Sequence, residues 1–222
     1  MDKATYWFLD AVVQYKLPIR TLVIPNLAEA LNRPSHDLDP QSLCALLLEL
    51  VQQDYLVIYH YAPHEDKEIP FIPSRRDLAQ ELNTPERNRQ TYLSYGLSPL
   101  GGAQWEMLSS PRWDQFISAS YGADPYDAEI IAEDRQLVQR YFELQRYISS
   151  SVGAIIPESL QWDILQPWEA TYWKTLPKAH RLRFYYHPYA EDAHVPNTPT
   201  WAWEQLRQMC EWYQGYSPSE GT

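Results

Sequence analysis

The chain has 222 residues, a net charge of −11 from 29 acidic against 18 basic side chains, and 45% hydrophobic residues. That length can bury a substantial core and suits one large or two small domains, and that hydrophobicity excludes a disordered chain. An acidic surface repels phosphate backbones and steers the chain towards basic partners, so sequence-independent nucleic-acid binding is disfavoured by charge.

Nine Trp and seventeen Tyr are many for this length. Eight of the Trp lie from Trp105 onward, which predicts an aromatic-rich core or an aromatic-lined surface in the second half. The two cysteines, Cys44 and Cys210, lie far apart in helical patterns and read as buried, reduced thiols. No CxxC or His/Cys cluster is present, so no metal or other cofactor is expected. Met1–Trp7 lacks the charged and apolar blocks of a signal peptide, and no apolar run approaches the ~20 residues of a membrane span, so a cytoplasmic location is expected.

In chain order, Ala4–Tyr15 predicts a helix with Trp7, Phe8, Ala11 and Val12 on its apolar stripe. Lys16-Leu17-Pro18 ends it, Ile19–Ile24 reads as extended, and Pro25–Leu31 as a short helix. Asp39 as cap and Pro40 as first residue open the best-defined helix, with Leu43, Leu46, Leu47, Leu50 and Val51 inward. Tyr55–His60 is a strand. Tyr61–Gln90 is a long excursion holding one helix, Ser74–Leu82, with a capping-box start at Ser74 and Asp77. A strand around Thr91–Leu97 then runs into Ser98-Pro99-Leu100-Gly101-Gly102, where Ser98 caps and Pro99 starts a helix.

That strand, Ser-Pro step and Leu-Gly helix resemble the last strand and following helix of winged helix-turn-helix domains. The order of elements over residues 1–120 or so is similar, distantly, to the PadR and MarR types. The resemblance implies a recognition helix at Asp39–Gln53. That helix carries no Lys or Arg, and none occurs between Arg33 and Lys67, which removes the charge needed to meet phosphates.

Arg112–Ser120 predicts another helical turn or two, and Gly122–Asp127 reads as the linker. The expected fold class is therefore α+β: a winged-helix-like domain at 1–121 and an aromatic-rich α+β domain with a small antiparallel sheet at 122–222. In the latter, Ile130-Ile131 is a short strand and Asp134–Ile148 a helix. Trp168–Thr175 and Arg181–His187 read as two strands. Leu182, Phe184 and Tyr186 share one face of the second, and Arg181, Arg183, Tyr185 and His187 the other. A last helix, Trp201–Tyr213, turns Leu206, Met209, Cys210 and Tyr213 inward, with Trp203 alongside, and, by analogy with winged-helix proteins, offers a homodimer surface.

No GxSxG, GxxxxGK[ST] or HExxH pattern is present. His180, His187 and His194, and the carboxylates Glu158, Asp163 and Glu169, read as solvated side chains. Arg181 and Arg183, with Lys174 and Lys178 near, read as salt-bridged, with an anion site as the alternative. Trp168, Trp173, Tyr185, Tyr189, Trp201, Trp203, Arg181 and Arg183 are the candidate partner-binding residues, because Tyr, Trp and Arg anchor interfaces. The expectation is a non-enzymatic protein that binds a basic protein partner, resembling small acidic immunity proteins in charge and aromatic character. The alternative is a winged-helix transcriptional regulator.

Overall fold

Helix starts in the N-terminal half follow directly from capping chemistry. In the computed structural model, which describes residues 1–65, 67–84, 91–148, 154–188 and 198–215, the Asp2 carboxylate accepts from the Thr5 amide at 2.7 Å and starts α1 (Lys3–Ala11). A two-residue strand β1 (Leu17–Pro18) follows, then a 3-10 turn over Ile19–Val23 where extended chain was expected. Ile19 and Leu22 are both buried there, and the three-residue period of a 3-10 turn puts them on one side, which a strand cannot do.

After the single turn α2 (Leu27–Ala30), Asp39 Oδ1 accepts from the Gln41 and Ser42 amides at 2.8 and 3.1 Å and starts α3 (Pro40–Gln52). Leu43, Cys44, Leu47 and Leu50 form its buried stripe. Strand β2 (Leu56–Ala62) is followed by β3 (Lys67–Phe71), α4 (Arg75–Asn83), β4 (Tyr92–Leu97) and α5 (Pro99–Ser109). The capping box of Ser74 and Asp77 forms as expected. The strands order as β1-β4-β2-β3, all antiparallel. The long excursion after β2 thus contains an unforeseen strand, whose pattern is masked by Pro70 and by its place at the sheet edge. Leu56, Ile58, Tyr95 and Leu97 pair across β2 and β4 and turn inward with Phe8, Leu9, Leu47 and Trp105.

The chain divides into two compact units. Unit 1 is Met1–Ser109 with Thr171–Lys174 and Gly215–Thr222; unit 2 is Ser110–Ala170 with Thr175–Gln214. The expected boundary at 121/122 is corrected, because Gly122–Asp127 is a hairpin turn inside unit 2. The Gly122 amide donates to the Asp127 carbonyl at 2.7 Å and the Asp127 amide to the Pro125 carbonyl at 2.9 Å. That turn joins β5 (Ile117–Tyr121) to β6 (Asp127–Ala132), so the later part of the stretch predicted as helical turns is strand, and Trp113–Gln115 forms one 3-10 turn.

Unit 2 continues with α6 (Arg135–Ile148), β7 (Ala154–Ile155), β8 (Gln161–Leu165), β9 (Trp168–Glu169), β10 (Thr175–Leu176), β11 (Ala179–His187) and α7 (Thr200–Cys210). Strand β11 is central, with β6 on one edge and β8 and β7 on the other. Its alternation is as expected: Leu182, Phe184 and Tyr186 are buried with Val138 and Phe142 of α6. The predicted strand Trp168–Thr175 instead folds back on itself, Trp168 pairing with Leu176 and Glu169 with Thr175. Among the described residues no helix is long and apolar enough to cross a membrane.

Candidate binding surfaces

Two of the expected partner anchors, Trp168 and Trp173, are engaged internally. Helix α1 ends at Ala11, and the carbonyls just beyond a helix end need donors from elsewhere. The turn Thr171–Lys174 supplies them within unit 1. Tyr172 donates its hydroxyl proton to the Val12 carbonyl at 2.6 Å and accepts from the Leu97 amide at 2.5 Å. Trp173 Nε1 donates to the Val13 carbonyl at 2.8 Å. The Trp173 ring meets Trp105 edge-on at 6.2 Å and lies so close to α5 that a Cβ at Gly102 would be 2.1 Å from it. Lys174 pairs with Glu106 at 2.5 Å. Burial pushes the Tyr172 hydroxyl well above the usual tyrosine range, so it acts as a fixed neutral donor. In unit 2, Trp168 is buried and stacks on Phe116 at 5.9 Å, and Phe116 packs on Trp212 at 4.6 Å.

The outward face of β11 is a charge lattice. Arg181 Nε and Nη2 donate to the two carboxylate oxygens of Asp163 at 2.9 and 2.7 Å, and Nη1 to Glu129 at 3.1 Å. Arg183 Nη2 reaches Asp163 at 3.3 Å. The cross-strand register dictates this, since Arg181 stands opposite Asp163 of β8 and Arg183 opposite Glu129 of β6. The Arg181 hydrogen bond holds the Asp163 carboxyl below its usual range. The salt-bridged reading of Arg181 and Arg183 therefore describes them, and neither guanidinium is left unmatched for an anion. Tyr185, on the same face, is half exposed beside a depression of about 220 Å³.

His180 and His187, seven residues apart on β11, point to opposite faces. The His180 imidazole is held below its usual value by burial and by nearby Lys178 and Arg135. His194 and Tyr189 lie outside the described residues. Glu158, Asp163 and Glu169 fall on three separate elements. Among the described residues no group of three or more His, Cys, Asp or Glu is arranged to hold a metal ion.

A concave surface of unit 2 runs between α6 and α7, an open groove of about 600 Å³. Leu137, Leu144 and Met209 form its apolar lining. Tyr147 and Trp201, 48% and 44% exposed, meet edge-on at 4.9 Å at one end. Arg140, Glu143, Gln205 and Gln208 are its polar lining. Trp203, 53% exposed, also projects from α7. Helix α7 was expected to turn several residues inward, but only Ala202 is buried and Cys210 is exposed. Arg140, Glu143 and Tyr147 were foreseen as parts of one amphipathic helix and not as a site. The signal was the recurrence 140, 143, 144, 147, a second stripe displaced from Val138 and Phe142, which pack with the strand residues.

In unit 1 the exposed face of α3 presents Gln41, Ser42, Ala45, Glu49 and Gln52 and no cation. Comparison with family models, curated proteins and solved structures returns no match.

Proposed function

We propose that this chain is a non-enzymatic binding protein that captures a basic protein partner, in the manner of an acidic immunity or inhibitor protein. The observation that carries the reading is the α6–α7 edge of unit 2. There Tyr147 and Trp201 stay exposed at the groove and Trp203 stays exposed on the same helix as Trp201, on a chain whose net charge is −11. Large aromatics left in water at the rim of a concavity are the anchors that interfaces use, and long-range charge of one sign selects and speeds the opposite partner. Unit 1 serves as a winged-helix-like platform. Its support is the succession α1, α2, α3, then strands β2 and β4 paired antiparallel with β1 on the far edge.

The test compares the wild-type chain with a Trp201→Ala/Trp203→Ala variant, each immobilised and exposed to host extract at low and high salt. Retention of a basic protein by the wild type, weakened by salt and lost by more than tenfold in the variant, is the expected result. Equal retention by both chains, or none, overturns it. A parallel gel-shift at low salt decides the regulator reading, because DNA retention that falls steeply with salt would make unit 1 a DNA-binding module.

A further inference from the structure

We infer that the Tyr147–Trp201 end of the α6–α7 groove is the seat for one cationic side chain, Lys or Arg, of the protein partner. The inference rests on the binding reading above and adds the chemistry of the anchor. Glu143 and Tyr147 are four residues apart on α6 and share a face. Trp201 of α7 closes the same end by its edge contact with Tyr147. Two aromatic rings and a carboxylate around one opening hold a cation by ring quadrupole and by ion pairing together. Glu143 is available for this: its Oε1 accepts from Gln139 Nε2 at 2.8 Å, which orients the carboxylate, and it has no ion pair among the described residues.

Trp201, in the first turn of α7, meets Tyr147, in the last turn of α6. The C-terminus of α6 therefore meets the N-terminus of α7 and their macrodipoles oppose, which leaves Glu143 the deciding charge. Arg140 sits one turn back along α6, about 4.5 Å along the axis from Glu143. It too has no ion pair among the described residues. It gives the groove a direction, because a second cation is repelled there while a backbone carbonyl is accepted. The occupant is thus an extended segment with a basic side chain at the aromatic end and its main chain running towards Arg140.

The probes are capped tripeptides, Gly-Arg-Gly, Gly-Lys-Gly, Gly-Glu-Gly and Gly-Leu-Gly, titrated into the ¹⁵N-labelled full chain. The Trp201 indole resonance, assigned with Trp201→Phe, is followed. The Arg and Lys peptides should shift it saturably and the Glu and Leu peptides should not. Glu143→Gln should weaken binding about tenfold. Arg140→Ala should weaken the Arg peptide less than Glu143→Gln does. Absence of a shift with the Arg peptide, an equal shift with the Leu peptide, or undiminished binding in Glu143→Gln overturns the inference. A Glu peptide that binds and is lost in Arg140→Ala overturns it in favour of an anion seat. If the chain retains a basic protein while the Arg peptide fails, the seat falls and the binding reading stands. If the Arg peptide binds by these criteria and no basic protein is retained, the binding reading falls and the cation seat stands.

Discussion

The contact between Gly102 and Trp173 can be measured as a coupling. A methyl group at position 102 would lie 2.1 Å from Trp173 Cε3, well inside the ~3.5–4.0 Å at which carbon atoms rest. Gly102→Ala must therefore push the indole away. That loses part of its packing and the bond to the Val13 carbonyl, worth about 1 kcal/mol with more if the carbonyl is left dry, so a cost of about 3 kcal/mol is expected. Trp173→Ala alone should cost about 2–3 kcal/mol, below the ~3–5 kcal/mol of a fully enclosed Trp, because this one is half-buried. With the indole gone, the added methyl meets no ring, and alanine's helix propensity turns the same change into a gain of up to about 1 kcal/mol. The sign reverses, a coupling of about 3–4 kcal/mol against the ~0.5 kcal/mol scatter of independent sites. Gly101→Ala is the control: its Cβ would lie 1.9 Å from the Tyr55 carbonyl oxygen, so it should cost the same in both backgrounds. The assay is urea unfolding followed by far-ultraviolet circular dichroism, since indole fluorescence would report the mutated ring. Equal losses for Gly102→Ala with and without Trp173 would refute the packing argument.

Tyr172→Phe removes the hydroxyl between the Leu97 amide and the Val12 carbonyl and should cost about 1–3 kcal/mol by the same measurement. Asp163 has its folded pKa depressed by Arg181, so its contribution is present above the ordinary Asp value near ~4 and vanishes as pH falls through the lower folded value. Asp163→Asn should therefore be less stable than wild type at pH 7, by less than about 1 kcal/mol given its partial exposure, and match it in strong acid when unfolding is compared across pH. Alkylation followed by intact-mass measurement should label Cys210 alone in the native chain, slowly because partial desolvation by its neighbours raises its thiol pKa, and Cys44 only after unfolding. Trp203→Ser should change stability by no more than about 0.5 kcal/mol, because the ring is exposed, while reducing partner capture.

What could be read from the residues was local. Asp39-Pro40, Ser74 with Asp77, and Ser98-Pro99 each carry a helix start within three or four residues, and all three formed where expected. The two faces of β11 were legible because strict alternation needs no knowledge of neighbours. Strand β3 and the Ile19–Val23 turn were not, because the first is an edge strand carrying a proline and the second is shaped by the burial of Ile19 and Leu22. The site suffered from the same limit. Tryptophan content predicted that aromatic surface would matter, but whether a given ring faces water or a helix end depends on contacts distant in sequence. Trp173 finds the Val13 carbonyl 160 residues earlier, whereas Trp201 and Trp203 remain exposed on a lightly buried helix.

The turn Thr171–Lys174 also sets a timetable for biosynthesis. Unit 1 is discontinuous, and the donors for the Val12 and Val13 carbonyls leave the ribosome about 60 residues after Ser109, the end of its main segment. At ~5–20 residues per second that interval is roughly 3–12 s. During it the cleft between the end of α1 and Gly102 stands without Tyr172 and Trp173, and a nascent chain stalled before residue 171 holds an unfinished first unit. The strict N-terminal-first order of domain maturation is closed to this chain: its first unit is sealed by residues from deep within the second half of its sequence.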